Sequence, residues 1–198
     1  MNALFWTGLG FLLGSIPFSV WLGRIFLQTD IRTYGDGNPG ATNAWRAGGW
    51  RLGLPALLLD YFKGAIPVSL ANFAAGVSGW GLVATALAPV AGHAFSPFLR
   101  FQGGKAVAVT FGIWTGLTLA EAPLVLGLLM ALFLLVLDSN DWAVIFSMLV
   151  FLGYLLLRPV EFFSLAIWAG NMLIIWWRYR SDLQTRPRLR PWLLHLLR

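Results

Sequence analysis

Apolar residues run almost without interruption from Ala3 to Ile25, and the same density returns from about Leu52 to Phe73 and from Trp80 to Phe98. Beyond Lys105 the chain stays apolar as far as Trp177. It is punctuated only at Glu121-Ala122-Pro123, at Asp138-Ser139-Asn140-Asp141 and at Arg158-Pro159, which leaves segments near 106–119, 122–137, 142–157 and 161–177. Continuous apolar runs of this length, without polar alternation, predict helices that cross a bilayer. The pattern gives an all-α integral membrane protein with about seven transmembrane helices. Several of the later segments fall short of the ~20 residues of a full span, so at least one is expected to be tilted, broken or partly inserted, and six or five crossings are compatible with the pattern.

Within these runs a few positions break the monotony. Gly10 and Gly14 stand four apart in the first segment, a spacing that lets two helices approach closely. Ser15-Ile16-Pro17 follows at mid-span, where the proline leaves a backbone carbonyl to be satisfied by protein or by a polar cavity; either a break facing a site or a tolerated kink fits. Asp60 and Lys63 interrupt the second segment at i and i+3, so they share a helix face and can pair, as part of a polar site or as a structural ion pair. His93 closes the third segment and reads as a hydrogen-bonding residue.

Composition agrees with the pattern. Of 198 residues, 58% are hydrophobic and 11% charged, with a mean hydropathy of +0.72, and a soluble domain has about twice that charged fraction. No polar stretch is long enough to fold alone, so residues 1–198 are expected to form one polytopic domain. Met1 to Leu27 lacks a basic region ahead of its apolar core and reads as a retained span rather than a signal peptide. The formal charge of +6 is concentrated in loop 27–52 (Arg32, Arg46, Arg51), in turn 99–105 (Arg100, Lys105) and in the tail, where six arginines lie at or after Arg178; loop 74–79 has no basic residue. With the N-terminus outside and seven crossings, all three basic segments and the C-terminus fall in the cytoplasm. The acidic turn Asp138–Asp141 then lies inside and Arg158 outside, against the trend. The basic tail suits anionic lipid headgroups, and no nucleic-acid-binding module is present. With no cysteine there is neither a disulfide nor thiol chemistry.

Two polar stretches carry the candidate chemistry. The first, Asp30 to Asn43 (DIRTYGDGNPGATN), holds Gly35, Gly37 and Gly40; glycines so placed allow positive φ and gather N–H groups into an anion-sized nest. It runs into a helix start with Thr42 or Asn43 as cap and Arg46 nearly one turn on, an arrangement that favours a phosphate. A turn that merely joins two helices is the plainer alternative. The second, Arg100-Phe101-Gln102-Gly103-Gly104-Lys105, repeats that chemistry but is too short for a nucleotide-binding P-loop. His93 and His195 are too isolated to argue a metal site. A phosphate head and an acyl tail would meet both environments of such a site at the membrane surface.

The segments GSIPFSVWLGR, DIRTYGDGNPGATNAWRAGG, LLDYFKGAIPV and GHAFSPFLRFQGGKAVAVTFG together resemble the bacterial membrane glycerol-3-phosphate acyltransferases that use acyl phosphate as donor. The likeness is close over about the first 120 residues and otherwise mainly in hydropathy. It implies a seven-helix acyltransferase of the bacterial cytoplasmic membrane, facing the cytoplasm, that moves an acyl chain from acyl phosphate to the 1-hydroxyl of glycerol 3-phosphate. The products would be lysophosphatidic acid and phosphate, and no cofactor is required. It further implies that Gly35, Gly37, Asn38, Gly40, Thr42 and Asn43 cradle a phosphate, that Arg46 and Lys105 clamp anionic groups, and that Gly103, Gly104, Arg178 and Asp182 complete the substrate site. The soluble acyltransferases are a separate type, since no histidine here is followed five positions later by an aspartate.

Three positions depart from the family pattern. Asp36 stands where members usually have serine, Tyr179 where they have histidine and Asp182 where they have asparagine. An ionised Asp36 about 4 Å from a phosphate would repel it by about 4 kcal/mol per unit charge at an effective dielectric near 20. That cost disappears if Asp36 is protonated, if it pairs with Arg46 or Lys105, or if it faces a different acceptor; it could also serve as general base on the acceptor hydroxyl. The departures therefore leave open a paralogue with another acceptor, or a lipid-phosphate binder without catalysis.

Overall fold

A computed structural model describes residues 2–158 and 162–196. The first apolar run forms two helices, α1 (Ala3–Ser15) and α2 (Phe18–Leu27), parted at Ile16-Pro17. Proline lacks the N–H that would continue the ladder, and two carbonyls at the break are met by side chains from distant segments. Lys63 Nζ donates to Ile16 O at 3.1 Å and Ser96 Oγ to Ser15 O at 2.5 Å. The expected break is a real one, and its carbonyls face protein.

After a polar connection, α3 runs from Ala41 to Ser69 and ends in one wide turn, Leu70–Ala74. It starts eleven residues before the apolar run that announces it, since Ala41 to Arg51 is helical but only half apolar. Gly48 and Gly49 interrupt it, Gly49 at φ +62°. The cap is also not the expected one: Gly40 holds the N-cap position without a side-chain bond, Thr42 is exposed, and Asn43 turns back into the loop. Then follow α4 (Gly79–Ala94), α5 (Val107–Thr118), α6 (Glu121–Val136), α7 (Asn140–Leu157), α8 (Phe162–Tyr179) and a short α9 (Pro191–Leu196). Pro159, where the sequence divides α7 from α8, lies outside the described residues.

Seven apolar helical segments thus appear in the expected order. Four of them, Ala3–Leu27, Ala41–Ala74, Gly79–Leu99 and Asn140–Leu157, are long and apolar enough to cross a membrane. α5 and α6 are shorter, at 12 and 16 residues. Lipid tails are as apolar as leucine, so helix association here rests on close packing rather than on removal of apolar surface from water. The α1–α4 contact shows how: a Cβ on Gly14 would stand 2.5 Å from Pro89 Cα, and one on Gly92 would collide with Phe11 O. Trp114 and Phe151 meet edge to face at 4.9 Å in the centre of the second half, surrounded by Ile113, Leu126, Ile145 and Met148. Leu4, Leu12, Leu128 and Leu157 point outward, as lipid-facing side chains do.

The connections sort into two ends. One end gathers loop 28–40, turn 95–106, the acidic turn after α6 and the chain beyond α8. The tail is fastened there, because Asp138 N–H donates to Arg188 O and Arg190 N–H to Val136 O, both at 2.9 Å, and Trp142 Nε1 donates to Thr185 O at 2.6 Å. The acidic turn and the basic tail therefore share an end.

Candidate active site

The loop before α3 is folded by its own polar groups. Asp30 caps the short turn Ile31–Thr33 and accepts from Arg32 Nε and Nη2 at 2.9 and 2.6 Å and from Arg24 Nη2 at 3.0 Å. These bonds, Arg32's first, hold its carboxyl well below the usual carboxylate range despite partial burial. Gly35 and Gly37 sit at φ +55° and +74°, the left-handed region the sequence pattern requires. Several of the loop's N–H groups are spent within the loop itself. Gly37 N–H donates to Tyr34 O, Gly40 N–H to Asn38 O, and Asn38 N–H to Asp36 Oδ1 at 3.2 Å. Asp36 occupies part of the nest with its own carboxylate.

From Asp36 a chain of polar contacts runs both ways. Buried Asn43 donates through Nδ2 to Asp36 Oδ1 at 2.9 Å and to Asn38 O at 3.0 Å, and its Oδ1 accepts from Arg46 Nη1 at 3.2 Å. Arg46 lies over Gly35, where a Cβ would collide with its guanidinium. On the other side Asp36 Oδ2 meets Lys105 Nζ at 2.9 Å. The same ammonium contacts Asp141 Oδ1 at 2.9 Å and Asp182 Oδ2 at 3.2 Å, and sits 4.7 Å from the centre of the Tyr179 ring. Burial would lower the Lys105 pKa, but its bonds to Asp141 and Asp36 outweigh that and raise it above the ordinary lysine range. Partial burial likewise opposes ionisation of Asp36, yet Lys105 and the Asn38 N–H hold it ionised, below the ordinary carboxylate value. Of the escapes open to Asp36, pairing with Lys105 is the one observed, and Arg46 is not its partner.

The turn that carries Lys105 rests on a buried polar post. Gly103 N–H donates to Ala94 O at 3.2 Å and Gly104 N–H to His93 O at 3.0 Å; a Cβ on either glycine would collide with His93, on its backbone for Gly103 and on its ring for Gly104. Beneath lie Asp60 and Lys63, paired at 2.7 Å, with His93 Nδ1 at 3.8 Å and Ser19 Oγ at 3.0 Å from the Asp60 carboxylate. The pair expected from its i, i+3 spacing is present, but it faces the break in the first run rather than the cavity. Arg178, leaving α8, donates to Gly103 O and ties the last helix to the same turn.

Between these elements opens a cavity of about 210 Å3. Of the residues expected to form the site, Asp36, Gly37, Asn38, Gly103, Lys105, Arg178 and Asp182 line it. Gly35, Gly40, Thr42, Asn43, Arg46 and Gly104 stand behind that lining or beside it. Arg32 and Ser181 also line it, and Asp141 reaches its lysine. Sequence reasoning missed Asp141, which reads as a break between apolar segments; its signal was an acidic turn on the same side as two basic loops. Among the described residues no three acidic, histidine or cysteine groups are arranged to hold a metal ion; the three aspartates converge on an ammonium. A larger cavity, about 810 Å3, opens at the opposite end between Phe73, Ser78, Glu121 and Arg158, away from both glycine turns.

The sequence profile described as Glycerol-3-phosphate acyltransferase matches residues 4–186. The chain belongs to the glycerol-3-phosphate acyltransferase family. It is 48% identical over 118 residues to Glycerol-3-phosphate acyltransferase 1 of Thermotoga maritima, a stretch covering 59% of this chain and 58% of that one, so the match spans a little over half the relative's length. With the Glycerol-3-phosphate acyltransferase of Listeria welshimeri it shares 33% identity over 191 residues, 95% of this chain and 94% of the other. Its backbone superposes on the crystal structure of PlsY (YgiH), an integral membrane glycerol 3-phosphate acyltransferase in its glycerol 3-phosphate form, with a TM-score of 0.84 at 30% identity over 99% of both chains. The form of that protein with lysophosphatidic acid gives 0.82. This family member is an integral membrane protein, and its glycine loop, Gly-Gly-Lys turn and α8 exit meet at one cavity.

Proposed function

We propose that the chain transfers an acyl group from acyl phosphate to a hydroxyl of a three-carbon polyol at the cytoplasmic face of a bacterial cell membrane. The 1-hydroxyl of glycerol 3-phosphate is the acceptor the family supplies, with lysophosphatidic acid and inorganic phosphate as products. The observation that carries this reading is the cavity itself: three segments distant in the chain bring Asp36, Lys105 and Arg178 to one polar opening at the end of an apolar bundle, where a polar head and an acyl tail can both be housed.

In the proposed step the hydroxyl oxygen attacks the acyl carbonyl carbon, an ester C–O bond forms, the bond to the phosphate oxygen breaks, and the hydroxyl proton leaves on the departing phosphate. The donor is already activated, so no redox or carrier cofactor enters the balance. Lys105 and Arg178 supply charge-assisted donors toward the phosphate and the developing oxyanion. Asp36, held ionised by Lys105, is a weak base; it serves better to accept a hydrogen bond from the acceptor hydroxyl than to remove its proton.

Phosphate release from palmitoyl phosphate by the purified protein, with and without glycerol or glycerol 3-phosphate, tests the reading. Acceptor-dependent release that falls at least ~100-fold in Lys105→Met supports it. Release that is independent of any acceptor, or unaffected by that substitution, overturns it.

A further inference from the structure

The tail beyond α8 lies across the end of α6, and its depth can be read from what it touches. Leu189 pairs with Leu137 in an antiparallel bridge, flanked by the Asp138–Arg188 and Arg190–Val136 backbone bonds. Arg190 Nε donates to Leu137 O at 3.0 Å and Trp192 Nε1 to Leu135 O at 3.3 Å. Leu135 stands in the last turn of α6 and is 63% exposed, as is fitting for a side chain that meets lipid. Residues 185–192 therefore run along the level where hydrocarbon gives way to headgroups. Their composition suits that level: Leu189 and Trp192 remain exposed beside Arg186 and Arg188, which are exposed too. α8 leaves the bundle in the same manner, with Trp177 exposed and the Arg180 guanidinium 4.0 Å from the centre of its ring.

Charge along this strip is unbalanced. Among the described residues none of Arg186, Arg188 and Arg190 forms an ion pair. Asp141 and Asp182 are engaged by Lys105, and Asp138 is the carboxylate of the turn against which the tail is bonded. Three cations against that one anion leave a net charge of +2. We infer that residues 185–192 form an interfacial strap that binds the headgroups of anionic phospholipids. Arg186 and Arg188 present their guanidinium forks to lipid phosphates, while Leu189 and Trp192 sit against the first methylenes of the chains. The occupant is a lipid rather than a free anion, because the arginines share their strip with exposed apolar side chains that a lipid covers and a free phosphate does not. This holds whether or not the cavity transfers acyl groups.

Native mass spectrometry of the full chain in neutral detergent tests the strap, counting bound lipids on titration with phosphatidylglycerol and with phosphatidylcholine of the same acyl chains. The expected result is phosphatidylglycerol held roughly 10-fold more tightly at low salt, with the preference shrinking as salt is raised to about 0.5 M. In the double variant Arg186→Gln, Arg188→Gln the two lipids should bind within about 2-fold of each other. Neither side chain makes a hydrogen bond within the described fold, so the variant keeps its helices, as circular dichroism would verify. Lys105→Met should leave the preference as it is, since that lysine faces the cavity and not the strip. Equal retention of the two lipids by the unaltered protein overturns the inference. So does a preference that survives in the double variant, and its loss in Lys105→Met instead would put the bound headgroup in the cavity.

Discussion

Asp36 and Lys105 hold each other ionised, and the sign of that linkage fixes where pH matters. The Asp36 pKa is lowered in the folded protein, so its contribution is present above the unfolded-state value of about 4 and is lost as pH falls through the folded value. The Lys105 pKa is raised, so its contribution is complete below about 10.4 and is lost as pH rises through the folded value. Between about pH 5 and 10 neither group titrates, and thermal midpoints in detergent should be flat there with respect to this pair. Asp36→Asn should remove part of the acid-side loss below about pH 4; because Asp36 is 40% exposed, its share is roughly 1 kcal/mol or less. At the glycine turn the constraint is steric. A Cβ on Gly103 collides with backbone at His93 that cannot swing away, so Gly103→Ala should displace Lys105 and cost roughly 100-fold in acyl transfer, with helicity unchanged by circular dichroism.

Among the elements, the helices were largely legible in the sequence and their polar seams only partly so. Hydropathy finds α4 to α8 within a few residues because lipid-facing and buried positions are both apolar, and Pro17 announces the α1–α2 break because nothing else in that run can end a helix. The first turns of α3 escape, since Arg46, Gly48, Gly49 and Arg51 dilute the signal of a helix that lies outside the apolar layer. Asp141 escapes for another reason: its partner is 36 residues away, and no local spacing announces a contact made through the fold. The Asp60–Lys63 pair was legible because both ends lie on one helix. Breaking it from one side strands a buried carboxylate, so Lys63→Met should destabilise the protein by about 3–5 kcal/mol, while Lys63→Met combined with Asp60→Leu should recover much of that loss in denaturant unfolding. Where α1 crosses α4, Gly14→Leu should cost at least about 1–3 kcal/mol in the same assay, because Pro89 leaves no room for a side chain.

For the whole molecule, the two ends differ in charge and in chemistry, and the proposed orientation follows from that difference. The chain has no cysteine, so single cysteines report sidedness without background. Gln184→Cys, beside the cavity end, should react with a membrane-impermeant maleimide only after the cell membrane is opened; Ser78→Cys, at the other end, should react in cells whose cytoplasmic membrane is intact. The reverse pattern would invert the proposed topology. The carbonyls at the Pro17 break also bear on how the chain enters a membrane. Ile16 O accepts locally from Phe18 N–H at 3.0 Å and gains Lys63 Nζ 47 residues later, whereas the donor to Ser15 O, Ser96 Oγ, comes 81 residues later. Until Ser96 is made, Ser15 O depends on water or translocon groups as stand-ins. The break in the first span is therefore completed only by the end of α4, which ties the final seating of α1 to that of α4.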